Sequence, residues 1–221
     1  MILVHDLALD APDGRLLLDG VGFAVPRGGR LLITGPSGSG KSRLLKVVAG
    51  LERPAHGQVK VGGCAVWPGE GALALQGKVR LGFAFAAGGL LSNLSLRDNV
   101  ALPLRMLGLP AADTDARTQA AVDHLGLHAV ADLRPHAVSA AARKHGNLAR
   151  VLALDPELIL LDDPLEGLDA SDRALALAVM GRWAADADKT LLLAQEEAGA
   201  FADLATGHLD LNASPIPLET P

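Results

Sequence analysis

The stretch Gly35-Pro36-Ser37-Gly38-Ser39-Gly40-Lys41-Ser42 combines residue types and a spacing that suit the grip of a phosphate chain. It fits the pattern G-x-x-x-x-G-K-[ST]. Glycines let backbone amides turn toward an anion with no Cβ in the way. A helix starting there aims its unpaired N–H groups and the positive end of its dipole at the same point. Lys41 is then expected to reach the β- and γ-phosphates, and the Ser42 hydroxyl to ligate Mg²⁺. The competing reading is a glycine turn with an exposed lysine. It leaves unexplained the strand-like Arg30-Leu31-Leu32-Ile33-Thr34 before the loop and the helical Leu44, Leu45, Val47 and Val48 after it. Nucleotide binding is the expectation.

A second chemical feature is Leu158-Ile159-Leu160-Leu161-Asp162-Asp163, an apolar strand ending in two carboxylates. Beside a phosphate loop, Asp162 is placed to hold the Mg²⁺ that Ser42 also touches. Asp163 would face the γ-phosphate and orient or deprotonate a water. Taken alone, the pair reads equally well as an acidic turn before Pro164.

The rest of the 221-residue chain must position these groups. Hydrophobic residues make up 49% of it, enough for a sizeable core. The net charge of −5 and the 3% aromatic content, with no tyrosine, argue against a nucleic-acid partner. Cys64 is the single cysteine and reads as a small buried residue near a strand end. No run of about 18 apolar residues exists, and the first residues lack a signal-peptide pattern, so a cytoplasmic location is expected. A mean hydropathy of +0.28 hints at apolar surface reserved for a partner.

Residues 2–25 read as an antiparallel strand pair, with turn signals at Pro12-Asp13-Gly14 and at Asp19-Gly20. Residues 58–63 read as another short strand with a glycine turn, and residues 79–85 as a central strand. Leu96, Val100, Leu104 and Leu107 fall on one helix face, with Pro103 kinking it. Helices are expected over 113–127 and 139–154, making residues 88–145 a helical insertion. Leu158 to Leu161 and Leu191 to Leu193 return to buried parallel strands, separated by a helix with Leu175, Val179 and Trp183 on one face. One domain over 1–211 and a loose tail over 212–221 complete the expected organisation.

With these residues in this order the chain resembles the ATP-binding cassette ATPases of ABC transporters. The loop at residues 35–42 resembles their Walker A motif, residues 158–164 the Walker B strand and the acidic residue after it, and Glu166-Gly167-Leu168-Asp169 the D-loop. The segment from Leu90 to Leu104 is similar to the start of the helical subdomain in stand-alone lipid-transport (lipid-asymmetry) and lipoprotein-export ATPases. The resemblance implies a RecA-like α/β P-loop NTPase core with an N-terminal antiparallel β subdomain and an inserted α-helical subdomain. It also implies ATP and Mg²⁺ as cofactors, head-to-tail pairing with a second ATPase subunit, identical or different, and docking on an integral-membrane permease at the inner face of the cell membrane.

Several positions depart from the family pattern. The signature L-S-G-G-Q reads Val138-Ser139-Ala140-Ala141-Ala142. Ser139 keeps a hydroxyl at a helix N-terminus, while the two alanines either crowd the γ-phosphate or make a stable helix start. Ala86 replaces the Q-loop glutamine, and Asp163 replaces a glutamate, drawing the carboxylate back by about 1.5 Å. Gln195 stands at the switch histidine and cannot carry a proton. The adenine-stacking aromatic is missing near Ala11-Pro12, and His208 is read as a surface residue preceding the last strand. The expectation is an ATP-binding transporter subunit with weak hydrolysis. A fully active transporter ATPase using Asp163 and a non-hydrolysing, nucleotide-gated partner of an intact ATPase stay open as alternatives.

Overall fold

A computed structural model describes residues 1–87 and 89–212, which form two compact units. The first joins Met1–Leu81, Glu157–Asp162 and the chain from Asp186 onward; the second joins Gly82–Pro156 and Asp163–Ala185. Beyond Asn212 the expected tail lies outside the described residues.

The first unit starts with β1 (Ile2–Asp10), β2 (Leu16–Val25), β3 (Arg30–Thr34), α1 (Lys41–Val48), β4 (His56–Val61) and β5 (Cys64–Trp67). β6 (Leu81–Ala84) begins in it and ends in the second unit. β7 (Leu158–Asp162), β8 (Thr190–Gln195) and β9 (Gly207–Asp210) complete it. Four of its strands form an antiparallel sheet in the order β2-β1-β4-β5. In β1, Ile2 and Val4 are buried while Leu3 is exposed, the alternation of a sheet with one wet face. Strands β7, β8, β3 and β9 lie side by side in that order, each parallel to its neighbour. β7 is buried along its whole length and β8 nearly so, as their unbroken apolar runs require. Helix α1 touches β4, β7 and β8, and its Leu44, Leu45, Val47 and Val48 are fully buried.

Three expectations change here. Asp19-Gly20 is not a turn but a bulge within β2: Leu9 pairs with Leu18 and Leu7 with Val21, so two residues oppose Ala8, and Gly20 takes the left-handed φ of 63°. The glycine turn expected at Gly62 and Gly63 is present, with both at positive φ, and it leads into a further strand, β5, paired with β4. His208 lies inside β9 rather than before it, and its Nε2 is 2.6 Å from the Thr34 hydroxyl. Cys64, expected to be buried, opens β5 and is half-buried.

The second unit is built on α2 (Leu96–Met106), α3 (Ala111–His124), α4 (Ala140–Ala153) and α5 (Ala170–Ala184). Helices α2, α3 and α4 pack on one another, and α5 packs on α4. Leu96, Val100 and Leu104 are buried as their spacing requires, and α2 continues through Pro103. Leu107 does not join that face: it caps the helix, Gly108 turns the chain at φ 74°, and its side chain is exposed. α3 ends before the expected Leu127 because Gly126 adopts φ 63° and the Leu127 amide bonds back to the Val122 carbonyl at 2.9 Å. Leu125 and Leu127 remain buried past the helix end. Fully buried Asn99 fastens the preceding loop: it donates to the carbonyls of Leu91 and Ser95 and accepts from the Leu91 amide at 2.7 Å.

Asp169 caps α5, accepting from the Asp172 amide at 2.9 Å and the Ser171 hydroxyl at 3.0 Å. These bonds, the Asp172 amide first, hold its carboxyl below the usual 3.8. A carboxyl depressed in the folded state contributes stability that is present above its unfolded value and lost as pH falls through the folded one. Asp169→Asn keeps a capping oxygen but no charge. The difference in urea midpoint between wild type and Asp169→Asn is therefore expected to shrink on acidification below 3.8 and to stay constant above about pH 5.

Candidate nucleotide site

β3 delivers the chain to Gly35, whose φ of 153° and tight surroundings exclude a side chain: a Cβ there would lie 2.7 Å from the Ser39 Oγ. Gly38 and Gly40 follow at φ 81° and 97°. Gly40 caps α1 without a side chain, so the first-turn amides of α1 have no acceptor from within the helix. The loop is closed by the Ser39 amide bonding to the Pro36 carbonyl at 3.1 Å, while Pro36, Ser37 and Gly38 are exposed. Lys41 is buried, and its Nζ donates to the carbonyls of Gly35 at 2.7 Å and Pro36 at 2.9 Å, leaving one of its three protons uncommitted by these bonds. The Ser39 Oγ is buried without a hydrogen-bond partner.

The Ser42 hydroxyl donates to Asp162 Oδ1 at 2.8 Å. Asp162 is the last residue of β7 and only 4% exposed. Among the described residues no cluster of three or more His, Cys, Asp or Glu forms a metal cage. One hydroxyl and one carboxylate suit Mg²⁺, which completes its shell with water and phosphate oxygens. The cradle around Gly35, the unpartnered Ser39 Oγ and this donor pair fit a phosphate chain with a hard cation.

Gln195 ends β8 in the same unit. Its Nε2 donates to the carbonyls of Glu197 and, at 2.6 Å, Ala198, so both amide protons serve the turn that follows the strand. The structure thus places Lys41, Ser42, Asp162 and Gln195 in the first unit and brings Ser42 and Asp162 into direct contact.

Ser139 and Asp163 belong to the second unit. Ser139 caps α4 and accepts from the Ala142 amide at 3.1 Å, which leaves its hydroxyl proton available to a ligand. Ala140 and Ala141 open α4 with ordinary helical backbone; neither takes the positive φ that penalises alanine. Among the described residues Asp163 is one of three non-glycine residues at positive φ, 42°, a conformation aspartate tolerates better than most.

The contacts that hold Asp163 and the loop after it escaped the sequence reading. Lys144, one turn into α4, donates from Nζ to the Asp163 carbonyl at 2.6 Å and lies 3.8 Å from Glu166. Buried His145 meets the Asp172 carbonyl at 3.2 Å. Consecutive residues of one helix therefore grip both ends of the segment from Asp163 to Asp172. Farther along α4, Asn147 donates to the Phe85 carbonyl at 3.1 Å and Arg150 bonds to Gly89, flanking Ala86. Burial pushes the Arg150 guanidinium below its usual pKa. No spacing in the sequence signals these bonds, because each depends on how a helix face meets a distant loop.

Removing the Ser42 hydroxyl strips the buried Asp162 carboxylate of its donor. Ser42→Ala is expected to lower stability by about 1–3 kcal/mol in nucleotide-free urea unfolding at neutral pH. An unchanged midpoint would show that this bond does not hold the loop to β7.

Residues 18–166 match the family described as ABC transporter. The methionine import ATP-binding protein MetN of Cereibacter sphaeroides is 36% identical over 174 residues, 79% of this chain and 49% of that protein. The lipoprotein-releasing system ATP-binding protein LolD of Chromohalobacter salexigens is 31% identical over 194 residues, 87% of this chain and 82% of that protein. The sulfate/thiosulfate import ATP-binding protein CysA of Mycobacterium bovis is 34% identical over 190 residues, 85% and 52% respectively. The chain thus spans about half the length of the MetN and CysA relatives. The fold matches the dimeric ATP-binding cassette MJ0796 in two solved structures. In the post-hydrolysis state bound to ADP and Pi the TM-score is 0.82 at 23% identity, covering 89% of this chain and 88% of that one. In the second the TM-score is 0.84 at 22% identity, covering 96% and 95%. On the matched span and these identities, the chain belongs to the ABC transporter family of ATP-binding proteins.

Proposed function

We propose that this protein is the ATP-binding subunit of a membrane transporter, that it grips Mg-ATP through residues 35–42 and Asp162, and that it hydrolyses it slowly. The observation that carries this reading is the Ser42–Asp162 bond at 2.8 Å beneath a glycine cradle closed by Lys41. Lys41 and the α1 amides would hold the β- and γ-phosphates. Ser42 and Asp162 would hold Mg²⁺, which supplies charge neutralisation of the phosphate oxygens when bound. Ser139 would present its free hydroxyl proton to the nucleotide of a second ATPase subunit. The relatives named for import and for lipoprotein release support work with an integral-membrane permease. Among the described residues no helix is long and apolar enough to cross a membrane, which suits a peripheral subunit on a permease at the cytoplasmic face. We read residues 1–211 as one domain with its helical subdomain inserted at about 88–145.

Slow hydrolysis follows from the residues that would meet the γ-phosphate. Asp163 falls short of a glutamate's reach by about one carbon–carbon bond, and misplacement near 1 Å costs on the order of 100-fold in rate. Gln195 spends its amide protons on the Glu197 and Ala198 carbonyls. Ala86 supplies no polar group.

Lys41→Ala is expected to weaken Mg-ATP binding at least tenfold by calorimetry; unchanged binding would overturn the phosphate-loop reading. Phosphate-release turnover is expected below about 1 s⁻¹ and to rise in Asp163→Glu. Turnover of about 1 s⁻¹ or more that Asp163→Ala abolishes would instead establish a fully active ATPase.

A further inference from the structure

We infer that Lys144 is a positioning residue for Asp163: reaching from α4, its ammonium holds the backbone turn that aims the Asp163 carboxylate. The inference rests on the reading of Asp163 as the group that orients or deprotonates the attacking water, and deepens it.

The chain's own preference works against that turn. β7 ends at Asp162, and Asp163 then takes φ 42°, in the left-handed region. The next residue is Pro164, whose ring biases the residue before it toward extended backbone near φ of about −120°. Relaxing to that value would rotate the Asp163 Cα–Cβ bond by about 160° around the N–Cα axis and carry the carboxylate off its present line. A non-glycine residue persists at such a φ only where its surroundings over-determine it. The aim of the carboxylate therefore depends on what holds the Asp163 peptide.

Two donors hold it. The Glu166 amide bonds to the Asp163 carbonyl at 3.3 Å, a long bond, and the Lys144 Nζ bonds to the same oxygen at 2.6 Å. A carbonyl has two lone pairs, so both fit, and the charged donor makes the shorter and stronger bond. The Glu166 carboxylate, 3.8 Å from Nζ, is 72% exposed, so water screens that pair and it adds little. The origin of the Lys144 stem is itself fixed. Arg143 bonds to the carbonyls of Pro135 at 3.2 Å and Val138 at 2.7 Å, and buried His145 meets the Asp172 carbonyl at 3.2 Å. Rolling or sliding α4 would break these bonds. Without the ammonium, Asp163 is left with one long bond against the bias of Pro164.

The test measures Mg-ATP affinity by calorimetry and phosphate release at saturating Mg-ATP on the full chain. Wild type and Lys144→Met are compared, alone and again with Asp163→Asn. Methionine keeps most of the stem and its packing but carries no donor, while asparagine tolerates positive φ but carries no charge. Lys144→Met is expected to lower turnover at least about tenfold with affinity within about threefold, and to change turnover less than about twofold in the Asp163→Asn background. Lys144→Gln, which trades the charge for a shorter amide, gives the same readout should the methionine variant fail to fold. Turnover within about twofold of wild type, an equal loss in both backgrounds, or a loss carried by affinity would overturn the inference and leave the Asp163 reading intact. Equal turnover of wild type and Asp163→Asn would overturn the Asp163 reading and this inference with it.

Discussion

The hydrogen bond from Ser42 to Asp162 joins two parts of the chain 120 residues apart and fixes the geometry on which the site depends. On one side stands α1, whose four apolar side chains are buried against strands of both sheets. On the other stands β7, buried at every residue and paired along its length with β8. A buried carboxylate must be paired or hydrogen-bonded, and the Ser42 hydroxyl meets that requirement at the place where a cation would later sit between them. The glycine loop is held between the end of β3 and this contact, so its amides are aimed before any ligand arrives. Such preorganisation is what lets backbone dipoles bind an anion without a reorganisation cost.

The two halves of the proposed chemistry differ in how well the chain preserves them. Residues suited to the β-phosphate and its cation have the expected types and make the expected contacts: Lys41 is folded over its own loop and Ser42 is on Asp162. Those suited to the γ-phosphate are altered in type, and Gln195 is turned into its own strand end. The α4 start is different again. Ala140 and Ala141 sit in regular helix, so their methyl groups impose no backbone strain, and Ser139 caps the helix with its proton still free.

The site's centre was legible in the sequence because its requirements are local. Glycines at positions 35, 38 and 40 announce positive φ, and an apolar run ending in Asp162 announces a buried strand with its carboxylate at the end. The strands around them were legible for the same reason. Features set by distant contacts were not. The same Asp-Gly pair that signals a turn at residues 19–20 becomes a bulge once β1 supplies a partner. β5 is four residues long, too short for periodicity to mark. The hold of Lys144 on Asp163 and of His145 on Asp172 arises where a helix meets a loop, and neither residue type points to it.

The central claim is that the grip is built around the β-phosphate. Calorimetric titration of the protein with Mg-ATP, Mg-ADP and AMP tests it most directly. The account predicts ATP and ADP affinities within about threefold and AMP weaker by at least 100-fold. AMP binding as tightly as ADP, or ATP binding about 100-fold tighter than ADP, would contradict it.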